Sequence, residues 1–137
     1  MSKSVRFPYI SVGQLSASLE WMPFLPLKLS RGIDTEDVFG LVDSGASVSV
    51  LPYQIGLKLG AIWENQTPLF RLGGNLANYE SRGLVLKVKI GDFQSIKLAF
   101  AWTKAENVPV ILGQTNFFSI FDICFHLQDK QFELKMR

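Results

Sequence analysis

Leu41-Val42-Asp43-Ser44-Gly45-Ala46-Ser47 places a single carboxylate between two apolar stretches. Upstream, Val38-Phe39-Gly40-Leu41-Val42 reads as a short, wholly apolar strand, and downstream Val48 to Leu51 forms a second apolar run. Burying an unpaired carboxylate in such surroundings is costly. Ser44 and Gly45 offer a way to tolerate it, because glycine lets the backbone turn sharply and small side chains let backbone N–H groups approach the acid. Taken alone, Asp-Ser-Gly is also an ordinary turn sequence. The apolar flanks shift the balance toward a carboxylate presented at a strand end, since surface turns seldom join two wholly apolar strands.

Outward from that stretch the pattern is dominated by period-two alternation, with little helical periodicity. Phe24 to Leu29 reads as a strand whose prolines suggest an edge or a chain entry, and Gly32 to Asp37 as a polar turn. Pro52 to Leu59 is the best short helix, opened by proline and stopped by Gly60. Leu69 to Leu72 reads as a strand running into the flexible Gly73-Gly74-Asn75. Tyr79 to Ile90 alternates with Leu84, Leu86, Val88 and Ile90 on one face, and Gly91-Asp92 signals a two-residue hairpin. The return strand carries Phe93, Ile96, Leu98, Phe100 and Trp102. Val108 to Leu112 is a further apolar strand ending at Gly113, after which Thr115 or Asn116 is placed to cap one helical turn. Phe121 to Leu127 and Phe132 to Met136 close the chain as a hairpin. About ten short strands with turn signals between them predict a closed or nearly closed all-β barrel with one or two short helices.

Length and composition narrow the function classes. The 137 residues, 47% hydrophobic and 19% charged, fit one globular domain spanning residues 1–137. At that size folding removes roughly two-thirds of the unfolded chain's surface from water, so a core without staples is feasible. Net charge is only +2 and the basic residues are scattered; Lys87 and Lys89 flank Val88 as on the wet face of a strand, so nucleic-acid binding is not expected. One cysteine, Cys124, allows no intrachain disulfide, and its apolar neighbours predict a buried structural thiol. With His126 as the lone histidine, neither a thiol triad nor a zinc site can be assembled, and no metal or cofactor is expected. Leu19 to Leu29 is interrupted by Glu20, Pro23, Pro26 and Lys28, so no signal-peptide-length or membrane-spanning segment is read, and a soluble cytoplasmic protein is the expectation.

Three features occur in an order that resembles one family. Asp43-Ser44-Gly45 is followed by Leu72-Gly73-Gly74-Asn75 and, about 70 residues after the aspartate, by Val110-Ile111-Leu112-Gly113. This order resembles the retropepsin-like aspartic peptidases, in particular their small single-domain prokaryotic members, over about residues 22–136. The resemblance implies a single-lobe acid-protease barrel with Asp43 as the catalytic carboxylate and Ser44, Gly45 and Ala46 as its supporting loop. It further implies a glycine-rich flap at Leu72, Gly73, Gly74 and Asn75, and an apolar segment, Ile111, Leu112 and Gly113, crossing behind the active-site loop.

The sequence departs from the family at two positions: Ser47 stands where the family commonly has an acidic residue, and Gln114 where it commonly has an arginine. Loss of both members of an ion pair is nearly neutral where loss of one is not, and a Ser47–Gln114 hydrogen bond is the expected replacement. The chain has one Asp-Ser-Gly, so the resemblance implies a homodimer in which two Asp43 carboxylates face each other and act on a peptide or protein substrate. Two alternatives stand beside the peptidase. One is a catalytically inactive domain of the same fold serving in dimerisation or peptide binding. The other is a plain β-barrel interaction domain with an incidental Asp-Ser-Gly turn.

Overall fold

A computed structural model describes residues 3–11, 21–69, 79–105 and 107–137. In chain order its elements are β1 (Ser4–Pro8), β2 (Ile10–Ser11), β3 (Trp21–Met22), β4 (Phe24–Arg31), β5 (Asp34–Val42) and β6 (Val50–Pro52), then helix α1 (Tyr53–Lys58). There follow β7 (Ser81–Lys89), β8 (Ile96–Thr103), β9 (Val110–Leu112), helix α2 (Phe117–Ile120), β10 (Phe121–His126) and β11 (Gln131–Met136). Six strands close into a barrel in the order β4-β5-β9-β6-β8-β7. The closed all-β architecture with two short helices is the one that the alternation of apolar residues predicts.

The alternation sets the inside. Leu25, Leu27 and Leu29 of β4, Leu84, Leu86 and Val88 of β7, and Leu98, Phe100 and Trp102 of β8 are all buried. Burying each such side chain contributes about 2 kcal/mol. Most barrel pairings are antiparallel, but β5 runs parallel to β9 and β6 parallel to β8. Val42 therefore lies opposite Leu112, and Leu51 opposite Trp102. Helix α1 closes over one side of the barrel. Gly56 lies so near the Trp102 indole that a Cβ there would come within 2.2 Å of it, while the indole N–H donates to the Tyr53 carbonyl at 3.0 Å.

A second, three-stranded sheet has the order β1-β11-β10. Phe121 at the start of β10 packs edge-on to Phe93 and against Phe117, with ring centroids 5.2 Å apart in both pairs, and so joins this sheet to the barrel. Among the described residues no helix is long and apolar enough to cross a membrane.

Several local expectations are corrected. Gly32 to Asp37 is not one turn: only Gly32 and Ile33 turn, and Asp34 onward is already β5, paired with β4 down to Arg31. Its polar residues sit at a hairpin tip, where water reaches the strand and alternation carries no burial signal. The return strand after Gly91 begins at Ile96 rather than Phe93, whose buried ring instead plugs the turn. Asn116 adopts φ 75° and makes no side-chain cap to α2. Cys124 is exposed, not buried. It lies opposite Glu133 on the outer, charged face of the β10–β11 pair, while Phe121 and Ile123 face inward. The strand β1 went unread because Val5 and Phe7 alternate over only a few residues and end at Pro8, a residue a sheet accepts only at its edge.

Candidate active site

Asp43 follows directly on the last residue of β5, and its position is fixed from three sides. The parallel β5–β9 ladder continues past Val42, since the Asp43 N–H donates to the Leu112 carbonyl at 3.0 Å. On the other flank the Val42 N–H donates to the Pro23 carbonyl at 3.0 Å. The loop then folds back on itself: the Ala46 N–H donates to the Asp43 carbonyl at 3.2 Å, and the Gly45 N–H donates to Asp43 Oδ1 at 2.9 Å. The half-buried carboxylate thus has one oxygen held by its own loop. The N–H approach anticipated for small residues after the aspartate is made by Gly45. The reason for glycine differs from the anticipated sharp turn. Gly45 has no positive φ; what counts is space, because a Cβ there would sit 3.2 Å from Asp43 Oδ1.

The segment behind the loop comes from the far end of the chain. Ile111 and Leu112 lie in β9, opposite Leu41 and Val42 of β5, and Gly113 passes under the loop. A Cβ on Gly113 would stand 2.3 Å from the Val48 carbonyl oxygen and 2.9 Å from that of Ala46, so only glycine fits this crossing. The Gly113 N–H donates to Ser49 Oγ at 3.1 Å. Beyond it the Gln114 and Thr115 N–H groups donate to the carbonyls of Ala46 and Ser47 at 2.8 and 2.9 Å. Two stretches about 70 residues apart are therefore stitched together bond by bond.

The expected Ser47–Gln114 side-chain bond is not formed. The Gln114 amide Nε2 instead donates to the Ser44 carbonyl at 2.5 Å. Both side chains are exposed, so the Ser47 hydroxyl can be served by water while the amide takes a main-chain acceptor of the Asp43 loop. Gln114 thereby braces the residue next to the aspartate.

Ser49 is the supporting residue that the sequence reading passed over inside the apolar run Val48 to Leu51. It is 1% exposed, its hydroxyl accepts from Gly113, and its carbonyl accepts from the Ala101 N–H at 2.8 Å. A serine among β-branched and leucine residues was the available signal, since a buried hydroxyl needs a partner.

The stretch carrying Leu72, Gly73, Gly74 and Asn75, and most of the strand anticipated from Leu69, lie outside the described residues. What flanks it is described: Pro68 bridges Arg82 in antiparallel sense, the Leu69 N–H donates to Ser81, and the Gly83 N–H donates to Thr67, at 3.0 and 2.9 Å. Residues 67–69 and 81–83 are thus two paired arms. No group of three His, Cys, Asp or Glu side chains among the described residues could hold a metal ion.

Solved structures share this fold. A retropepsin-like aspartic protease from Rickettsia conorii superposes with a TM-score of 0.67 at 14% identity, covering 99% of this chain and 93% of that one. EIAV protease, solved in complex with the inhibitor HBY-793, superposes with a TM-score of 0.55 at 21% identity, covering 72% of this chain and 88% of that one. No family model and no curated protein matches the sequence. The barrel topology is thus that of the retropepsin-like aspartic proteases, and at these identities the likeness speaks to fold.

Proposed function

We propose that this protein is an aspartic endopeptidase that works as a homodimer, each subunit giving one catalytic carboxylate, Asp43. The observation that carries the reading is the placement of Asp43. It is a carboxylate at a strand end, gripped through its backbone by Leu112 and through Oδ1 by Gly45, in a barrel of the acid-protease type. A surface turn needs no such bracing. In this reading Ser44, Gly45 and Ala46 hold the active-site loop, and Ile111, Leu112 and Gly113 fix it from behind. The chain, one domain over residues 1–137, is completed by a second copy.

Two Asp43 carboxylates meeting across a two-fold axis would hold one proton between them, because like charges at that range resist joint ionisation. The ionised carboxylate takes a proton from a water molecule as its oxygen attacks the scissile carbonyl carbon. The protonated carboxylate gives its proton to the carbonyl oxygen. Collapse of the tetrahedral species breaks the C–N bond, and the leaving amine takes a proton from the dyad. In this reading Leu72, Gly73, Gly74 and Asn75 belong to a flap that closes over an extended peptide, and the pairing of residues 67–69 with 81–83 on either side of that stretch supports it. Among the described residues β10 is an edge strand, on which Phe125 is 40% exposed, and this supports association with a second copy, since a strand edge with apolar side chains is a pairing surface.

The test is cleavage of a mixed peptide library between pH 4 and 7 by wild type and Asp43→Asn, at concentrations where sedimentation equilibrium reports a dimer. Cuts made by wild type that fall roughly 10²–10⁴-fold or more in the variant are expected. A dimer of wild type that cuts nothing would overturn the hydrolase in favour of a peptide-binding module of the same fold.

A further inference from the structure

Away from the Asp43 loop, the outer face of the barrel carries four lysines in register. In the β4–β7 ladder Lys28 lies directly opposite Lys89, and in the β7–β8 ladder Lys87 lies directly opposite Lys97. Like charges facing each other across a ladder weaken a sheet, and here two such pairs sit side by side on three adjacent strands. The one acid in register with them is Asp37, opposite Lys28, yet none of the four lysines makes an ion pair among the described residues. Lys28, Lys87 and Lys97 are exposed, and the partly buried Lys89 donates to the Phe93 carbonyl.

The same face is not purely polar. Pro26 lies opposite Phe39, whose side chain is 54% exposed, and these two residues with Lys28 and Lys89 line a cavity of about 420 Å³. Asp37 also borders it. Phe39, the lining residue of β5 nearest Asp43, stands four positions before it, roughly 13 Å of strand, so the cavity lies beside but apart from the Asp43 loop.

We propose that this face is a docking surface for a protein segment in which acidic residues flank an aromatic or large apolar one. The lysines supply the charge complement, and the Pro26–Phe39 cavity receives the apolar side chain. A concave, partly apolar cavity beside the cations favours a peptide over the other polyanions: a flat bilayer would leave it unfilled, and a phosphate backbone would gain nothing from Phe39. The acidic segment sits on the strands as carboxylates spaced by two residues, a repeat that matches the spacing of Lys87 and Lys89 along β7.

The inference does not depend on peptide hydrolysis, and its test uses the Asp43→Asn chain so that no cutting intervenes. The probe is a dye-labelled peptide, Glu-Gly-Glu-Gly-Phe-Gly-Glu, whose Glu and Phe side chains share one face of an extended chain, followed by fluorescence anisotropy in low salt. Saturable binding that weakens as salt rises is expected, with at least a tenfold loss in the Lys28→Gln/Lys89→Gln double variant. Phe39→Ser is expected to abolish the preference for the peptide over its Phe→Gly version. Matching thermal melts of the variants show that the fold is kept. The proposal is overturned if the peptide does not bind, if the double variant binds it equally, or if the Glu→Lys peptide binds as well. It is also overturned if anionic phosphatidylserine vesicles or polyuridylate bind more tightly than the peptide and through the same lysines.

Discussion

Two loops of this barrel each carry an Asp, a Ser and a Gly and have quite different physics. The loop after β5 begins Asp-Ser-Gly, and the turn after β7 is Gly-Asp-Phe-Gln-Ser. Both join apolar strands and both expose polar atoms. The second is held locally, by the Phe93 N–H donating to Ile90 at 3.0 Å and by the buried Phe93 ring, and its Asp92 makes only a solvent-exposed pair with Lys3. The first is held from outside: Leu112, Gly113, Gln114 and Thr115 each bond to it. A turn is over-determined when a distant segment supplies its partners, and that is the condition under which a carboxylate can be kept at a fixed place and angle.

The contrast is open to mutation, and the largest effect belongs to the crossing. Gly113→Ala forces a methyl against the Val48 and Ala46 carbonyls, which cannot retreat without straining the bonds that Gln114 and Thr115 make to Ala46 and Ser47. A loss of about 3 kcal/mol is expected in urea unfolding, with activity falling further than stability because the Asp43 loop is displaced. An unchanged unfolding midpoint would break the idea that the loop is held from behind. Ser49→Ala leaves the Gly113 N–H buried without an acceptor and is expected to cost about 2 kcal/mol. Ser49→Thr, which keeps the hydroxyl, should recover part of that, and the pair sharpens the assignment to the hydrogen bond. The smallest effect belongs to the local turn. Gly91→Ala meets no atom within 4 Å and is opposed only by its φ of 48°, so about 1 kcal/mol is expected in the same assay. A loss as large as that of Gly113→Ala would erase the distinction between the two loops.

The barrel was legible because its strands are wet on one face, and the leucines of β4 and β7 alternate without interruption. Where both faces of a strand are wet, as at Asp34 to Asp37, the same reasoning returned a turn. Where a strand stands at the rim, as β10 does, an apolar neighbourhood in sequence was no guide to burial, and Cys124 came out on the charged side. Asp43 could be singled out from its flanks, and Gly113 from its place after an apolar run. Their contact could not be read from either stretch, because the parallel β5–β9 pairing that creates it closes a loop of about 70 residues. Ser49 and the brace from Gln114 to Ser44 are consequences of that closure and leave no local trace.

The crossing also sets an order in time. Closing a loop of that length is slow beside hairpin formation, and every hydrogen-bond partner that Leu112 to Thr115 present to the Asp43 loop is made about 70 residues after it. While the polypeptide is still emerging from the ribosome, Asp43 and its neighbours are already made, but the Gly113 crossing that fixes them is not. The carboxylate is therefore mounted only once the stretch through Thr115 is free of the exit tunnel, and a product truncated before Gly113 carries the acid without its mounting.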